Sequence, residues 1–461
     1  MSIDMDGTKL TTHSNKLSKK DFSALIAIML AVALSSLDTS IVNTALPTIA
    51  ADLQTTPAKS IWVVNSYQLA VVAAMLPFAA LGDQWGPRKV FLGGLALFTA
   101  SSLACAVAGT VTQLTIARLL QGVGAAGLMS VNLALVSAIY PPARLGQGVG
   151  LNALIVGTGM ALGPTVASLI LSVSHWPWLF VINLPAGGLA LYLGRKAIPC
   201  VAHSGHHVDI PTAMLTVLTF ASLIFALGSA AQREPRPLIL ISLILVVIFG
   251  YLLVQRQARH PAPMLPLDLL RRPLFALSVL TSVCAFSVQG LAFVSLPFFF
   301  EGVLHRDPVQ TGFLITPWAI ATALTAPFAG RLSDRYPPGL LGGIGLAVLC
   351  AGMLMLAGLP ADATELGIVF RMLVCGIGFG FYQSPNLRAI MSSAPSHRRG
   401  GASGMIGVAR LLGQTSGAAM VALCLGLSDI QGARWALALG AGFAALASLV
   451  SFLRLRVKQL A

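Results

Sequence analysis

Asp38 stands in "ALSSLDTSIVNTALP" (33–47), inside a stretch from Phe22 to Leu46 that carries no other charge. A carboxylate in apolar surroundings can hold or release a proton: desolvation raises a carboxyl pKa, and a neighbouring cation lowers it. A group balanced between those influences can exchange a proton for a cationic or hydrogen-bonding substrate. Three arginines, Arg118, Arg371 and Arg410, lie in similarly apolar runs. Two turns join acid to base: Asp83, Gly86, Arg88 and Lys89 in "GDQWGPRK", and Asp334 with Arg335 in "SDRYPPG". A turn carboxylate can accept hydrogen bonds from the free N–H groups of a helix N-terminus. It can equally be solvated, with its basic neighbours setting orientation.

No catalytic constellation is present, and no phosphate-cradling loop ending in Gly-Lys-Ser/Thr, so the chain reads as a non-enzyme that does not use ATP directly. The histidine cluster "HSGHH" (203–207) sits in a polar stretch and reads as solvated, so no metal is expected. No cofactor is expected beyond a proton as coupling ion. The six cysteines form no CxxC pair and read as reduced, structural thiols.

The elements that must position these groups follow from composition. Of 461 residues, 10% are charged and 56% hydrophobic, against roughly a quarter charged in soluble domains. Apolar stretches able to cross a hydrocarbon core ~30 Å thick number fourteen. They begin near Phe22, Ser60, Lys89, Thr112, Leu145, Trp176, Ile210, Leu238, Leu274, Val309, Gly339, Glu365, Ser403 and Trp435. The expected fold is an all-α membrane protein. Of the 29 Lys and Arg, 21 fall in alternate loops on the side of the N-terminus, five in the opposite loops and three within spans. Positive loops stay cytoplasmic, so both termini are expected on the cytoplasmic side of a bacterial inner membrane. A nucleic-acid surface would gather its charge on one soluble segment, and none exists. No small-x-small cleavage site follows the first apolar run, which reads as a retained first span.

Two landmarks recur. Asp83 and Asp334 lie 251 residues apart in similar loops, and "RLLQGVGAAG" from Arg118 is echoed 253 residues on by "RMLVCGIGFG" from Arg371. A duplicated six-helix unit accounts for both, with the working site expected where the copies meet. The layout is a tail (1–21), a six-helix bundle (22–196), a linker holding two inserted helices (197–272) and a second six-helix bundle with a short tail (273–461).

Asp38 lies roughly 24 Å along its helix, about 12 Å from the far end, and Arg118 roughly 9 Å from the same side on the fourth span. A charge at that depth costs about 2.5–3.5 kcal/mol, which calls for a partner, a wet cavity or protonation. Arg118 matches by depth. It either holds Asp38 ionised in one state and frees it in another, or forms a static pair that orients its helix. Tyr67, Gln68, Asn132, Asn152, Gln289, Tyr382, Gln383, Asn386 and Gln414 are further candidates for a cavity lining, although interhelical hydrogen bonding is the commoner role of such residues. Gly150, Gly157, Gly159, Gly163 and Pro164 thin the fifth span, permitting close packing and a kink.

These segments together resemble the major facilitator superfamily, and within it the fourteen-helix branch of drug:proton antiporters. "LDTSIVNTALP" is similar to that branch's first-helix motif. "GDQWGPRK" is similar to the loop motif, with Ala79 and Gln84 departing from it. "RLLQGVGAAG" matches the fourth-helix motif through Arg118, Gln121, Gly122 and Gly124. "GLNALIVGTGMALGPTVAS" resembles the antiporter motif through Gly150, Gly159, Gly163 and Pro164, with Ala167-Ser168 for the usual Gly-Gly. "WPWLFVINLP" and "GASGMIGVARLLGQTSG" also resemble branch patterns, the latter with Gly407 where asparagine is frequent. The resemblance implies an exporter of small lipophilic, cationic compounds such as drugs, biocides and dyes, and a monomer is expected. It would work by alternating access against inward proton flow, with Asp38 as proton carrier. The loop motifs would latch the cytoplasmic side, and the glycine motif would act as seal and pivot. Export of an endogenous metabolite, siderophore or amino acid is the alternative, with Arg118, Arg371 and Arg410 favouring an anionic or zwitterionic ligand. A non-transporting membrane sensor is more remote, because the longest non-spanning stretch is about 21 residues.

Overall fold

The computed structural model describes residues 18–140, 145–200, 210–231, 236–258, 269–360, 362–394, 399–428 and 431–457. The HSGHH cluster and most of the N-terminal tail lie outside them. The regular structure described is helical. The first bundle comprises α1 (Lys19–Asp52), α2 (Pro57–Ser60), α3 (Trp62–Trp85), α4 (Pro87–Ala106), α5 (Val111–Ile139), α6 (Leu145–Val173), α7 (Trp178–Val181) and α8 (Asn183–Ala197). Two inserted helices follow, α9 (Ile210–Ala231) and α10 (Arg236–Ala258). The second bundle comprises α11 (Pro273–Gly302), α12 (Pro308–Leu332), α13 (Pro338–Ala357), α14 (Glu365–Ser393), α15 (Arg399–Leu427) and α16 (Gly432–Val457). These sixteen pieces form fourteen helical segments, because short α2 precedes α3 and a break at Ile182 separates α7 from α8. Eleven are long and apolar enough to cross a membrane among the described residues.

Several helices start earlier than hydropathy alone places them, because their first turns are polar and capped. Ser18 accepts from the Asp21 amide while the Asp21 carboxylate accepts from the Ser18 amide, so α1 begins at Lys19 and not Phe22. Asp307 caps α12 through the Gln310 amide, and Pro308 opens that helix, where a missing N–H costs nothing. Between α3 and α4 the chain turns at Gly86 with φ 90°, a conformation that a side chain resists.

At the end away from the chain termini, one continuous apolar core runs through both bundles, joining Ile41, Val42 and Leu46 of α1 to Leu296 and Phe300 of α11. Toward the termini it divides into two. One core fills the first bundle, with Val408, Leu411 and Leu412 of α15 reaching across and Phe220 of α9 joining it, and the other lies in the second. The hydrogen bonds that cross between bundles among the described residues follow the same asymmetry. Ser168 donates to the Pro308 carbonyl at 3.1 Å, Thr165 meets Thr316 at 2.8 Å, and Thr415 donates to Gln68 at 3.1 Å. At that contact a Cβ on Gly312 would lie 1.7 Å from Ser168 Oγ, so α12 packs on α6 only because that position is bare. The molecule is thus closed at the far end. Inserted α9 packs against both α3 and α15, while α10 turns Leu240, Val247 and Tyr251 outward, as a lipid-facing helix does.

Candidate functional site

Helical geometry sends neighbouring residues of α1 to different places. Ser36 and Ser40 share one face; Asp38, about 200° around from Ser36, takes the opposite one. The serine face packs on α6, where a Cβ on Gly159 would lie 3.0 Å from Ser36 and one on Gly163 2.3 Å from Ser40, and Ser40 donates to the Met160 carbonyl at 2.9 Å. Asp38 therefore points away from α6 and into the middle of the first bundle. It is 1% exposed.

What meets it there comes from two other helices, with a third behind them. Arg118 of α5 donates from Nη1 to Asp38 Oδ2 at 2.5 Å. Gln121, one turn on, donates to Oδ1 at 3.0 Å, and Asn183 of α8 donates to the same oxygen at 2.9 Å. Ser102 of α4 accepts from Gln121 at 2.8 Å, and Cys105 donates weakly to the Gln121 Oε1. Arg118 is held independently by the Val63 carbonyl at 3.2 Å, by the Gln121 Oε1 at 2.7 Å and by the face of the Tyr67 ring, 4.1 Å from its centroid. Gly122 makes the approach of α5 to α3 possible: a Cβ there would lie 2.4 Å from the Tyr67 carbonyl.

The arrangement has a specific chemical capacity. Arg118 also donates from Nε to the Val63 carbonyl and from Nη1 to Gln121 Oε1, both neutral acceptors, so neutralising the carboxylate leaves the guanidinium partnered. The carboxylate likewise has two amide donors that remain if the arginine moves. A group so placed can take up or give up a proton without stranding its neighbours, which is what buried polar groups otherwise penalise.

Tyr67 connects this pair to the space between the bundles. Its hydroxyl meets Ser35 Oγ at 3.2 Å, and its ring lines a small cavity of about 40 Å³. Ser36 and Thr39 of α1, Gln68 of α3 and Arg410 and Gln414 of α15 supply the polar lining; Val71, Met129, Val156, Met160 and Leu411 supply the apolar one. The space holds about one water, whose share of liquid volume is ~30 Å³. Asp38 does not line it.

The other sequence candidates separate by location. Tyr67, Gln68 and Gln414 line the cavity, and Gln289 accepts from Gln414 at 2.8 Å beside it. Asn132 and Asn152 bond to each other at 2.7 Å between α5 and α6. Tyr382 is buried against Phe286 and Phe379 inside the second bundle, and Gln383 is half-buried on α14. Asn386 belongs to a network that the sequence hid. Arg454, one of the 21 basic residues that hydropathy puts in the loops on the side of the N-terminus, is 2% exposed and donates to Asn386 at 2.5 Å, to Ser278 at 3.0 Å and to Ser451. Arg371 donates to the Met355 and Gly367 carbonyls and meets no acid among the described residues.

At the turns, Arg88 binds the end of α8 through the Arg195 carbonyl at 2.6 Å and Cys200 at 3.0 Å. Asp334 pairs with Arg388 of its own bundle, not Arg335. Lys89 lies in the first turn of α4 beside Gly86; the Asp83 side chain lies outside the described residues, as does that of Gly150 in α6. Asn183 and Ser102 were not among the sequence candidates, because an uncharged polar residue in an apolar helix gives no depth signal.

Two helical bundles that share a core at one end, part toward the other, and hold a small cavity of mixed polar and apolar lining beside a buried ion pair define a secondary transporter. The chain belongs to the Major Facilitator Superfamily, whose sequence pattern it carries over residues 28–418, and it is a multi-pass membrane transporter of small molecules, not an enzyme. It is 48% identical to the uncharacterized transporter YebQ of Escherichia coli (strain K12), over 94% of this chain and 95% of that one. It is 31% identical to the riboflavin transporter RibZ of Clostridioides difficile (strain 630), over 83% of each. It is also 31% identical to the multidrug resistance protein Stp of Mycobacterium tuberculosis (strain CDC 1551 / Oshkosh), over 88% of this chain and 76% of that one. Among solved structures it resembles a bacterial homologue of the human lysosomal transporter Spinster in an inward-facing, unoccupied conformation. The TM-score is 0.71, with 14% identity, 96% of this chain covered and 98% of the other.

Proposed function

We propose that the chain is a proton-coupled antiporter that exports small lipophilic compounds by alternating access, with Asp38 as proton carrier and Arg118 as its switchable partner. The observation that carries this reading is the buried carboxylate, held by one arginine and two amides, with Tyr67 both stacked on that arginine and lining the cavity. With the termini cytoplasmic, as the basic loops favour, closure at the far end makes this the inward-facing state. The near-side loop motifs around Asp83, Gly86, Arg88 and Lys89, and around Asp334 and Arg335, then act as the latch of the opposite state. Gly159 and Gly163, with Pro164, let α6 pivot on α1.

The multidrug relative supports drugs as cargo, and the riboflavin transporter, at the same identity, supports a metabolite. A cationic cargo has no counter-charge waiting for it, because the cavity lining holds no acid and Asp38 is engaged by Arg118.

The test is proton coupling in everted membrane vesicles. Respiration acidifies their interior, and adding a transported dye should dissipate part of that gradient through the wild type and not through Asp38→Asn. An Asp38→Asn protein that still exchanges dye for protons rules Asp38 out as the proton carrier.

A further inference from the structure

Arg410 differs from the other arginines set inside the bundles. Arg118 has its carboxylate, a carbonyl and an amide; Arg454 has Asn386 and two serines; Arg371 has two carbonyls. Arg410 is half-buried midway along α15, lines the cavity between the bundles, and makes no hydrogen bond or ion pair among the described residues. A guanidinium at that depth is costly without a counter-charge, and such groups mark ligand paths.

The lining agrees in sign. Among the described residues it contains no Asp or Glu, and the buried Asp38 is satisfied by Arg118, on which the Tyr67 ring stacks. Donors are in surplus: Gln68 uses its Oε1 to accept from Thr415, which leaves its amide N–H groups without an acceptor, and the Ser36 hydroxyl is unengaged among the described residues. Fork-shaped guanidinium and flanking amide donors fit a carboxylate or similar oxyanion. The walls on either side, Met129, Met160 and Leu411, are apolar and in part flexible.

We propose that Arg410 docks the anionic group of the transported compound, so that the cargo is a lipophilic organic anion with its aromatic or aliphatic body against the methionine wall. This rests on the transporter reading above and names its substrate class. The cavity as it stands admits little more than the oxyanion, and the body requires the bundles to part further on the near side. An exchanger that trades one monoanion outward for one proton inward moves two charges in the direction favoured by an inside-negative potential.

The experiment measures equilibrium binding to the purified full chain, with no proton gradient, so its outcome is independent of whether Asp38 carries a proton. The probes are xanthene dyes on one scaffold bearing a carboxylate, no net charge or a cationic amine. The wild type should bind the carboxylate dye at least about tenfold more tightly than the cationic one. Arg410→Gln should lose about tenfold toward the carboxylate dye with the neutral dye unchanged, and Arg410→Lys should retain part of the preference. Equal binding across the series, preference for the cation, no binding of the anion, or an anion affinity untouched by Arg410→Gln overturns the proposal. So does a short-chain phosphatidylglycerol that binds while the carboxylate dye does not, since the site would then serve a lipid headgroup.

Discussion

Replacing Arg118 with leucine and Asp38 with asparagine, singly and together, measures the buried pair directly. In Arg118→Leu the carboxylate keeps only neutral donors, Gln121 at 3.0 Å and Asn183 at 2.9 Å. Removing one partner of a buried ion pair costs about 3–5 kcal/mol, and two retained hydrogen bonds to the charge put the expectation near the lower end, about 3 kcal/mol. The substitution also forfeits the Val63 carbonyl and the stacking on Tyr67, together roughly 1–3 kcal/mol. That second loss occurs whichever residue occupies position 38, so a double-mutant cycle cancels it. Asp38→Asn alone leaves Arg118 with Val63, Gln121 and Tyr67. The double variant should therefore lose less than the sum of the singles, by about 2–3 kcal/mol. Detergent-driven unfolding in mixed micelles, followed by far-ultraviolet circular dichroism, supplies the four stabilities. Single losses that add to within about 0.5 kcal/mol would refute the reasoning, because a shared buried charge cannot behave additively.

Gly122→Ala should cost about 1–3 kcal/mol in the same assay, since its Cβ would collide with backbone, whereas Gly157→Ala should be neutral or mildly stabilising. The contrast rests on geometry: Gly122 faces the Tyr67 carbonyl at 2.4 Å, and nothing lies within 4 Å of a Cβ at Gly157. Gly312→Val should wedge α12 from α6 at the closed end, where its Cβ would meet the Pro164 carbonyl at 2.3 Å. Labelling of Thr165→Cys by a membrane-impermeant maleimide should then rise, and unchanged labelling would mean that this contact does not close the far end.

The sequence revealed what carries charge or period and missed what does not. Asp38 and Arg118 could be matched by counting residues from two helix ends, because an ion in hydrocarbon must be paired and the rise per residue is constant. The long apolar helices were legible for the same reason, eleven of them among the described residues being long and apolar enough to cross a membrane. Asn183, Ser102 and the coordinating role of Gln121 were not, because uncharged polar side chains occur throughout membrane helices and their partners depend on which faces meet. Arg454 was misplaced since a cation in a last helical turn ordinarily reaches the membrane surface. In this fold α13 presents Gly339 and Gly342 to it, and the absent side chains leave the room in which it is buried; a Cβ on Gly342 would lie 3.1 Å from its Nη2. The run "GLLGGIG" was the available signal.

Tyr67 bears on how two sites so close could be coupled. One face of its ring stacks on the guanidinium of Arg118, and the same side chain lines the cavity with Arg410. A ligand body large enough to fill the widened cavity must press on that ring, and any displacement of it weakens one of the contacts that hold Arg118 against Asp38. Conversely, protonating Asp38 removes the strongest pull on Arg118 and leaves the ring freer to move. Under the function proposed above, cargo and proton would act on one aromatic side chain from opposite sides. The coupling then needs no long relay, since its reach is the thickness of a ring.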